Sequence, residues 1–538
     1  MSRSLSVALV GPHRQENLAL QYLAAGAQRA GHRTRLVGYN GREDLVSAVH
    51  EVIDLAPDLV GLAIPFQYCI DDALLFARAL REEGFAGHLT CGGHVPTFCW
   101  RELLRDCPAI DSVVRHEGEE TFLDLLRVLA AGLPAAELPG LAWRAKDGLL
   151  AGPRRPQIKE LDSLPLPLRG GEPYCVGGVP MGFVIGARGC IGECEYCSIA
   201  AFESGARGGR YRLRKPEPIA DEIAELVRTQ GARIIFFHDD LFIMPSERAT
   251  VARLHALREG LARRGIGDTM FWVKGRPENI TPAVLDAARE MGVDHIFLGV
   301  ENASLERLRY LGRIHTPEDN RRALALCRAH GILPSFNFML FDPDCTLEDV
   351  AVTLDFAADH VGMPWNVCRT EIYSGTALRD RLEQEGRLQG DYRSYGYVMR
   401  DVRAEIMFRL LRVALHERAF AFDSLLNRLI SLSFARQVHE RFFPGETTQK
   451  FSARVIALID LVQRDTLDVL RRALDHVASA DLQDARTLRR HAVDLGLRAN
   501  TRALAWHHEA ETLWDVLNAR GLRRTGVQGR TLRGAIGS

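Results

Sequence analysis

The sequence predicts an α/β protein with a first block of βα units, a second block of six βα units shaped as a partial (β/α)6 barrel of TIM type, and an all-helical carboxyl-terminal region. Three observations carry this prediction. Short apolar, β-rich runs alternate with amphipathic helical stretches over residues 1–145 and again over 181–390. Between the blocks, 146–180 breaks the rhythm with six prolines and with paired glycines at 170–171 and 177–178, so it reads as an extended linker. After about 390 strand signals almost vanish, and helical patterns run through 391–538.

In the first block the strand candidates are Ser6 to Val10, Thr34 to Val37, Leu59 to Ile64, His88 to Cys91 and Ser112 to Val114, with helices near 16–30, 43–55, 70–83 and 119–131. Parallel sheets of this kind are covered on both faces and bind ligands beyond the carboxyl ends of their strands. Two turns lie at such ends: Gly92-Gly93-His94-Val95-Pro96-Thr97 and His116-Glu117-Gly118-Glu119-Glu120-Thr121. In the second block strands are expected at Phe183 to Ile185, Ile234 to Phe237, Phe271 to Val273, His295 to Gly299, Ser335 to Leu340 and Asn366 to Glu371. The reactive groups of such a barrel gather at its strand ends. The final region reads as helices over 401–442, 451–479 and 484–519, interrupted at Pro444-Gly445.

Composition narrows the function classes. Of 538 residues, 46% are apolar and 25% charged, and the net charge is −1, which argues against nucleic acid as a partner. No apolar run is long enough for a transmembrane segment. The apolar start ends at Gly11-Pro12 and charged residues, which fits a first strand better than a signal peptide. The eleven cysteines, scattered and odd in number, do not read as a disulfide framework, so a reducing cytoplasmic setting is expected. Arg520, Arg523, Arg524, Arg530 and Arg533 read as a solvated basic tail.

The strongest chemical signal is Gly189-Cys190-Ile191-Gly192-Glu193-Cys194-Glu195-Tyr196-Cys197, placed just after the first barrel strand. Thiolates select zinc, copper(I) or iron–sulfur clusters. A structural zinc site wants a fourth ligand at short spacing, whereas three thiolates leave one iron of a [4Fe-4S] cluster open to a small molecule. Further polar residues follow apolar runs at predicted strand ends. They are Asp239 and Asp240 after Phe237-His238, Lys274 and Arg276 after Val273, and Glu301 after Val300. Cys345 and Cys368 read as buried small hydrophobes. His507 and His508 are adjacent and share no helical face, so they suggest no metal site.

The three cysteines with an aromatic before the third resemble the radical S-adenosylmethionine (radical SAM) superfamily, and agreement extends along most of 181–380. The resemblance implies that Cys190, Cys194 and Cys197 hold the cluster and that its open iron chelates S-adenosylmethionine. It also implies that Tyr196 lies beside the adenine, Asp239 and Asp240 meet the ammonium, Lys274 and Arg276 meet the carboxylate, and Glu301 accepts from the ribose. An electron donor of flavodoxin or ferredoxin type would supply reducing power.

The preceding block is similar to the Rossmann-like domain of the cobalamin-binding class of these enzymes. That likeness rests on 16–24, on the turns at Gly92 and Glu117, and on Leu161-Asp162-Ser163-Leu164-Pro165-Leu166-Pro167. It implies that Gly92, Gly93, His94, Thr97, Glu117, Gly118 and Glu119 border cobalamin. The Asp-x-His-x-x-Gly motif that supplies a lower cobalt ligand elsewhere is absent, since none of the first six histidines has Asp two positions earlier.

The activity implied is cobalamin-dependent methylation of an unactivated carbon, or occasionally phosphorus, in a biosynthetic small-molecule, peptide or lipid substrate. The route would be a 5'-deoxyadenosyl radical and methylcobalamin. Two alternatives stand beside it: a cyclase or rearrangement enzyme whose cobalamin domain is loaded or vestigial, and a non-catalytic cluster- and cobalamin-bearing sensor or scaffold.

Overall fold

The computed structural model describes residues 3–135, 137–204, 209–527 and 529–532. They form two compact units, each assembled from segments distant in sequence.

The first unit takes the chain through Gly171, then Ala187–Lys215 and Glu371–Tyr397. Its sheet runs Arg33–Gly38, Ser6–Gly11, Leu59–Ala63, His88–Gly92, Ser112–Val114, Leu141–Ala145 and Gly148–Ala151. The first five strands are parallel and the last two antiparallel. Alternation along Ser6–Gly11 builds two cores. Val7 and Leu9 pack with Leu20, Phe122 and Leu125 on one face, while Ala8 and Val10 pack with Val52, Phe76 and Leu80 on the other.

The unit differs from the sequence expectation in several features, among them the added strand Leu141–Ala145. Helix His94–Asp106 starts inside the glycine turn, because Pro96 lies in its first turn, where a missing N–H costs no helical bond. Residues read as linker add the strand Gly148–Ala151 to this sheet, where the apolar pair Leu149-Leu150 extends the edge. The late segment Glu371–Tyr397 belongs to the same unit. Cys99 Sγ donates to Ser374 Oγ at 2.9 Å, and Tyr392 OH bonds Asp106 at 3.1 Å.

The second unit contains Glu172–Gly186, Pro216–Thr370 and the chain from Val398 onward. Its sheet runs Trp365–Arg369, Leu333–Phe341, Val293–Leu298, Met270–Gly275, Ile234–Phe237, Val179–Val184, Tyr174–Val176 and Arg530–Thr531. The first six are parallel and joined through helices, giving an open half-barrel. Helix starts follow sequence signals: Thr316 and Thr346 each form a capping box with the aspartate three residues on.

Four long helices follow, Val402–Ala414, Leu425–Phe442, Glu446–Ser479 and Ala485–Thr525. Phe434 from the second of these packs on Trp272 and His295, with ring centroids 4.9 and 4.5 Å away. The helical region is therefore part of this unit's core. The basic residues 520, 523 and 524 continue the last helix, and Arg520 bonds Thr448 Oγ1 at 2.9 Å. Arg533 lies outside the described residues.

Candidate functional site

In the first unit the strand ends carry the candidate turns. Gly93 leaves the strand His88–Gly92 at φ 123°, ψ −172°. A Cβ there would lie 2.7 Å from the Ile64 carbonyl oxygen, so only glycine lets the chain pass. Thr97 is buried and binds the two turns together. Its Oγ1 donates to Gly93 O and accepts from His116 N–H, both at 2.8 Å. His116 adopts φ 63°, a left-handed conformation uncommon for a residue with Cβ. Burial, with Arg154 and Arg115 nearby, holds its imidazole neutral, with a pKa of about 4. Gly118 has an ordinary φ of −89° and precedes helix Glu119–Ala130.

Glu117 and Glu119 are engaged by cations. Arg188 donates to both, at 2.9 Å to Glu117, and Arg212 donates to both oxygens of Glu117 at 2.9 Å. Burial alone would raise the Glu117 pKa, but the Arg188 and Arg212 charges outweigh it and hold the carboxyl below its usual range.

The cysteine loop belongs to the same unit. It leaves the short strand Ala187–Gly189, which pairs antiparallel with Tyr211–Leu213, and ends in helix Ser198–Ser204. Gly189 turns the chain at φ 82°, where a Cβ would overlap the Arg210 carbonyl oxygen. Cys194 is buried, while Cys190, Tyr196 and Cys197 are partly exposed. The Gly192 N–H points at Cys190 Sγ at 3.3 Å, and Cys197 N–H closes a turn onto Cys194 O at 3.1 Å. Glu195 is tied down through its backbone to Leu378 and its carboxylate to Arg381 at 2.6 Å. Three thiols on one loop, with a backbone N–H already directed at one sulfur, fit an iron–sulfur cluster, whose sulfurs are tuned by such bonds. The eleven cysteines form no disulfide among the described residues.

In the second unit the predicted residues differ in exposure and in partners. Asp240 is exposed at the end of Ile234–Phe237. Lys274 lies 5.7 Å above the Phe236 ring; burial lowers its pKa, and Asp240 and Asp239 partly offset this. Asp239 is buried and accepts from Gly186 N–H at 2.6 Å, fixing the end of the neighbouring strand. Arg276 is buried against Glu278 at 2.6 Å, and Glu278 also faces His315. Glu301 adopts φ 63°, its carbonyl accepts from Met339 N–H at 2.7 Å, and its carboxylate lies 3.8 Å from Arg313. Strained non-glycine residues cost about 1–3 kcal/mol each and cluster at functional sites. His116 and Glu301 both follow strand ends.

Sequence reasoning did not single out Arg188, Arg212 or His238. The first two differ from ordinary strand arginines only through partners far away along the chain. His238 preceded the predicted aspartates unremarked. It lies between Phe183 and Phe236 at 5.1 and 4.9 Å, and its Nε2 has no partner among the described residues. Burial and Lys274 push its pKa down to about 3. Cys345 is fully buried 3.6 Å from Met399 Sδ, and burial pushes its thiol up to about 12. Cys368 is partly exposed.

Comparison with known proteins decides the family. Residues 184–357 match the radical SAM superfamily, and residues 6–126 match the B12 binding domain. A protein of Pyrococcus horikoshii, described as an uncharacterized methyltransferase, is 30% identical over 344 residues, covering 63% of this chain and 72% of that one. The chain belongs to the cobalamin-binding radical SAM family. It is therefore a cobalamin-dependent radical SAM enzyme whose cofactors are a [4Fe-4S] cluster, S-adenosylmethionine and cobalamin.

Two more relatives frame this enzyme. The anaerobic magnesium-protoporphyrin IX monomethyl ester cyclase of Rubrivivax gelatinosus is 27% identical over 410 residues, covering 72% of this chain and 69% of that one. The structure of the cobalamin-dependent S-adenosylmethionine radical enzyme OxsB with aqua-cobalamin bound superposes with a TM-score of 0.68 at 17% identity, covering 98% and 82% of the two chains. That likeness extends the shared fold through the helical region. No described helix is long and apolar enough to cross a membrane.

Proposed function

We propose that this radical SAM enzyme methylates an unactivated carbon of a biosynthetic substrate. In this reading 1–145 carries cobalamin, 181–390 the radical chemistry, and 391–538 helps shape the substrate cavity. Cys190, Cys194 and Cys197 would hold the cluster, with an external flavodoxin or ferredoxin as electron donor. Bound there, the cluster would supply the electron for reductive cleavage of S-adenosylmethionine, and cobalamin would supply the methyl group.

The residues of this chain bind and orient. Asp240 offers an exposed carboxylate to the ammonium of S-adenosylmethionine, and Lys274, which burial disfavours as a cation and Asp240 and Asp239 favour, would pair with its carboxylate. Asp239 would meet the ammonium with Asp240, Arg276 the carboxylate with Lys274, and Glu301 the ribose, each steadied by a neighbour within the chain: Gly186, Glu278 and Arg313. Gly92, Gly93 and His94 give the corrin a close approach to the backbone, and Tyr196 flanks the adenine. His238 stays neutral at working pH and presents a dipole rather than a charge.

The observation that carries the reading is the thiol loop with its Gly192 N–H directed at Cys190, in a chain that also matches a B12 binding domain. The Pyrococcus relative's description as a methyltransferase supports methyl transfer, and the Rubrivivax cyclase keeps a cyclisation reading in play. The test is anaerobic reconstitution with iron, sulfide and hydroxocobalamin, followed by S-adenosylmethionine, a strong reductant and candidate substrates. Methyl transfer requires 5'-deoxyadenosine and S-adenosylhomocysteine together with a methylated product. 5'-Deoxyadenosine alone, with a cyclised product, would replace methylation by the second reading. Cys190→Ala protein that still formed 5'-deoxyadenosine would overturn the cluster assignment.

A further inference from the structure

Both flanks of the cysteine loop are tied to the strand-end turns of the same unit. Arg188, two residues before Cys190, is 16% exposed and bridges Glu117 and Glu119. Its partner across the antiparallel pair is Arg212, 7% exposed, which donates to Glu117, to Ile158 O at 2.7 Å and to Glu203 at 3.3 Å. Glu203 lies on the helix that leaves Cys197, and Gln157 also donates to it. From that helix Phe202 stacks on His94, with centroids 4.3 Å apart and planes at 11°, and leans on His116 at 5.3 Å. Arg154 closes the circuit with bonds to Phe202 O and His116 Nδ1.

Within this circuit Glu117 is the common node. Its two oxygens accept from Arg188, from Arg212 and from the Ile158 N–H. A carboxylate buried with this many charge-assisted donors has one favourable arrangement, because moving either arginine strands a charge out of water. Thr97 then joins the His116 turn to Gly93. A continuous path of hydrogen bonds and one ring stack therefore runs from the cysteine loop to the glycine turn.

We infer that Glu117 and Arg188 are positioning residues that couple occupancy of the cysteine loop to occupancy of the strand-end turns, so that cluster and cobalamin each tighten the binding of the other. This rests on the reading that the three cysteines carry the cluster and the turns carry cobalamin. Coupling between two sites is reciprocal, so it can be read from either ligand. A cluster in the loop fixes Arg188 and Phe202, and these fix the turn that the corrin meets. The ordering is then met once rather than twice.

The experiment is a hydroxocobalamin titration, followed by absorbance, on iron-free and on reconstituted full-length protein, for the wild type, Glu117→Gln and Arg188→Lys. The wild-type dissociation constant falls at least about fivefold when the cluster is present, within the usual range of coupling between sites. In both variants that ratio moves toward one while iron and sulfide still load. The reciprocal readout is iron loss to a chelator, which hydroxocobalamin slows in the wild type and not in the variants. A purely structural role would weaken binding equally with and without cluster and leave the ratio unchanged, which overturns the inference. Equal wild-type constants with and without cluster overturn it without any variant. Cys194→Ala protein that still loads a full cluster, or wild type that binds no cobalamin, shows instead that the underlying reading is wrong.

Discussion

Replacing Gly93 by alanine tests the tightest point of the proposed cobalamin turn. At φ 123°, ψ −172° the residue occupies backbone space open almost solely to glycine, at a cost of about 1–3 kcal/mol for any other residue. The added Cβ also meets the Ile64 carbonyl oxygen at 2.7 Å and its carbon at 3.1 Å. That neighbour is the backbone just beyond the strand Leu59–Ala63, so no flexible side chain can yield, and overpacking of this kind adds about 1–3 kcal/mol. Near the low end of the combined range, about 3 kcal/mol corresponds to roughly a hundredfold change in an equilibrium constant. If the turn holds, the strain lowers the thermal midpoint. If the turn moves to relieve it, hydroxocobalamin affinity falls by a similar factor. Differential scanning fluorimetry and absorbance titration separate these outcomes. Gly92→Ala is a comparison for the thermal midpoint only: a Cβ there meets Val114 O at 3.3 Å, a tight contact but without positive φ, so its midpoint should fall less than that of Gly93→Ala. A Gly93→Ala protein with unchanged midpoint and a dissociation constant within about twofold of wild type would refute the reasoning.

Three further outcomes follow from the second unit. Burial pushes the His295 pKa down to about 3 from 6.5, so the unfolded chain takes up the proton first. Its contribution to stability is complete above about pH 6.5 and is lost below it at about 1.4 kcal/mol per pH unit. The thermal midpoint should fall from about pH 6.5 to about pH 5, with a shallower slope in His295→Gln; parallel slopes would contradict this. Lys274→Met removes a poorly solvated amine, and S-adenosylmethionine affinity measured by equilibrium dialysis should drop at least about tenfold while the thermal midpoint holds or rises. Arg418 is fully buried against Asp465 at 2.6 Å and also donates to Ala499 O. Asp465→Ala leaves that charge unpaired and should cost about 3 kcal/mol, read as a lowered chemical-denaturation midpoint of this unit.

Much of the fold was legible because its signals are local. The short apolar runs that form Ser6–Gly11 and Leu59–Ala63 depend on neighbours a few residues away. The cysteine loop was legible for the same reason, since three thiols within eight residues need no tertiary information to suggest one metal centre. The helix at His94 was hidden by the glycines before it and by Pro96, which ordinarily mark a turn.

The thiol loop, the two parallel-sheet blocks and the helical end were therefore determined by the sequence itself, through periodicity and spacing. Only the tertiary structure decided what surrounds each charged residue at the strand ends. Glu117 and Asp240 look alike in the sequence, as acids just beyond apolar runs. One is enclosed by Arg188 and Arg212 and the other is open to solvent. The physical reason is that burial and charge pairing are set by residues far away along the chain, which no local pattern encodes.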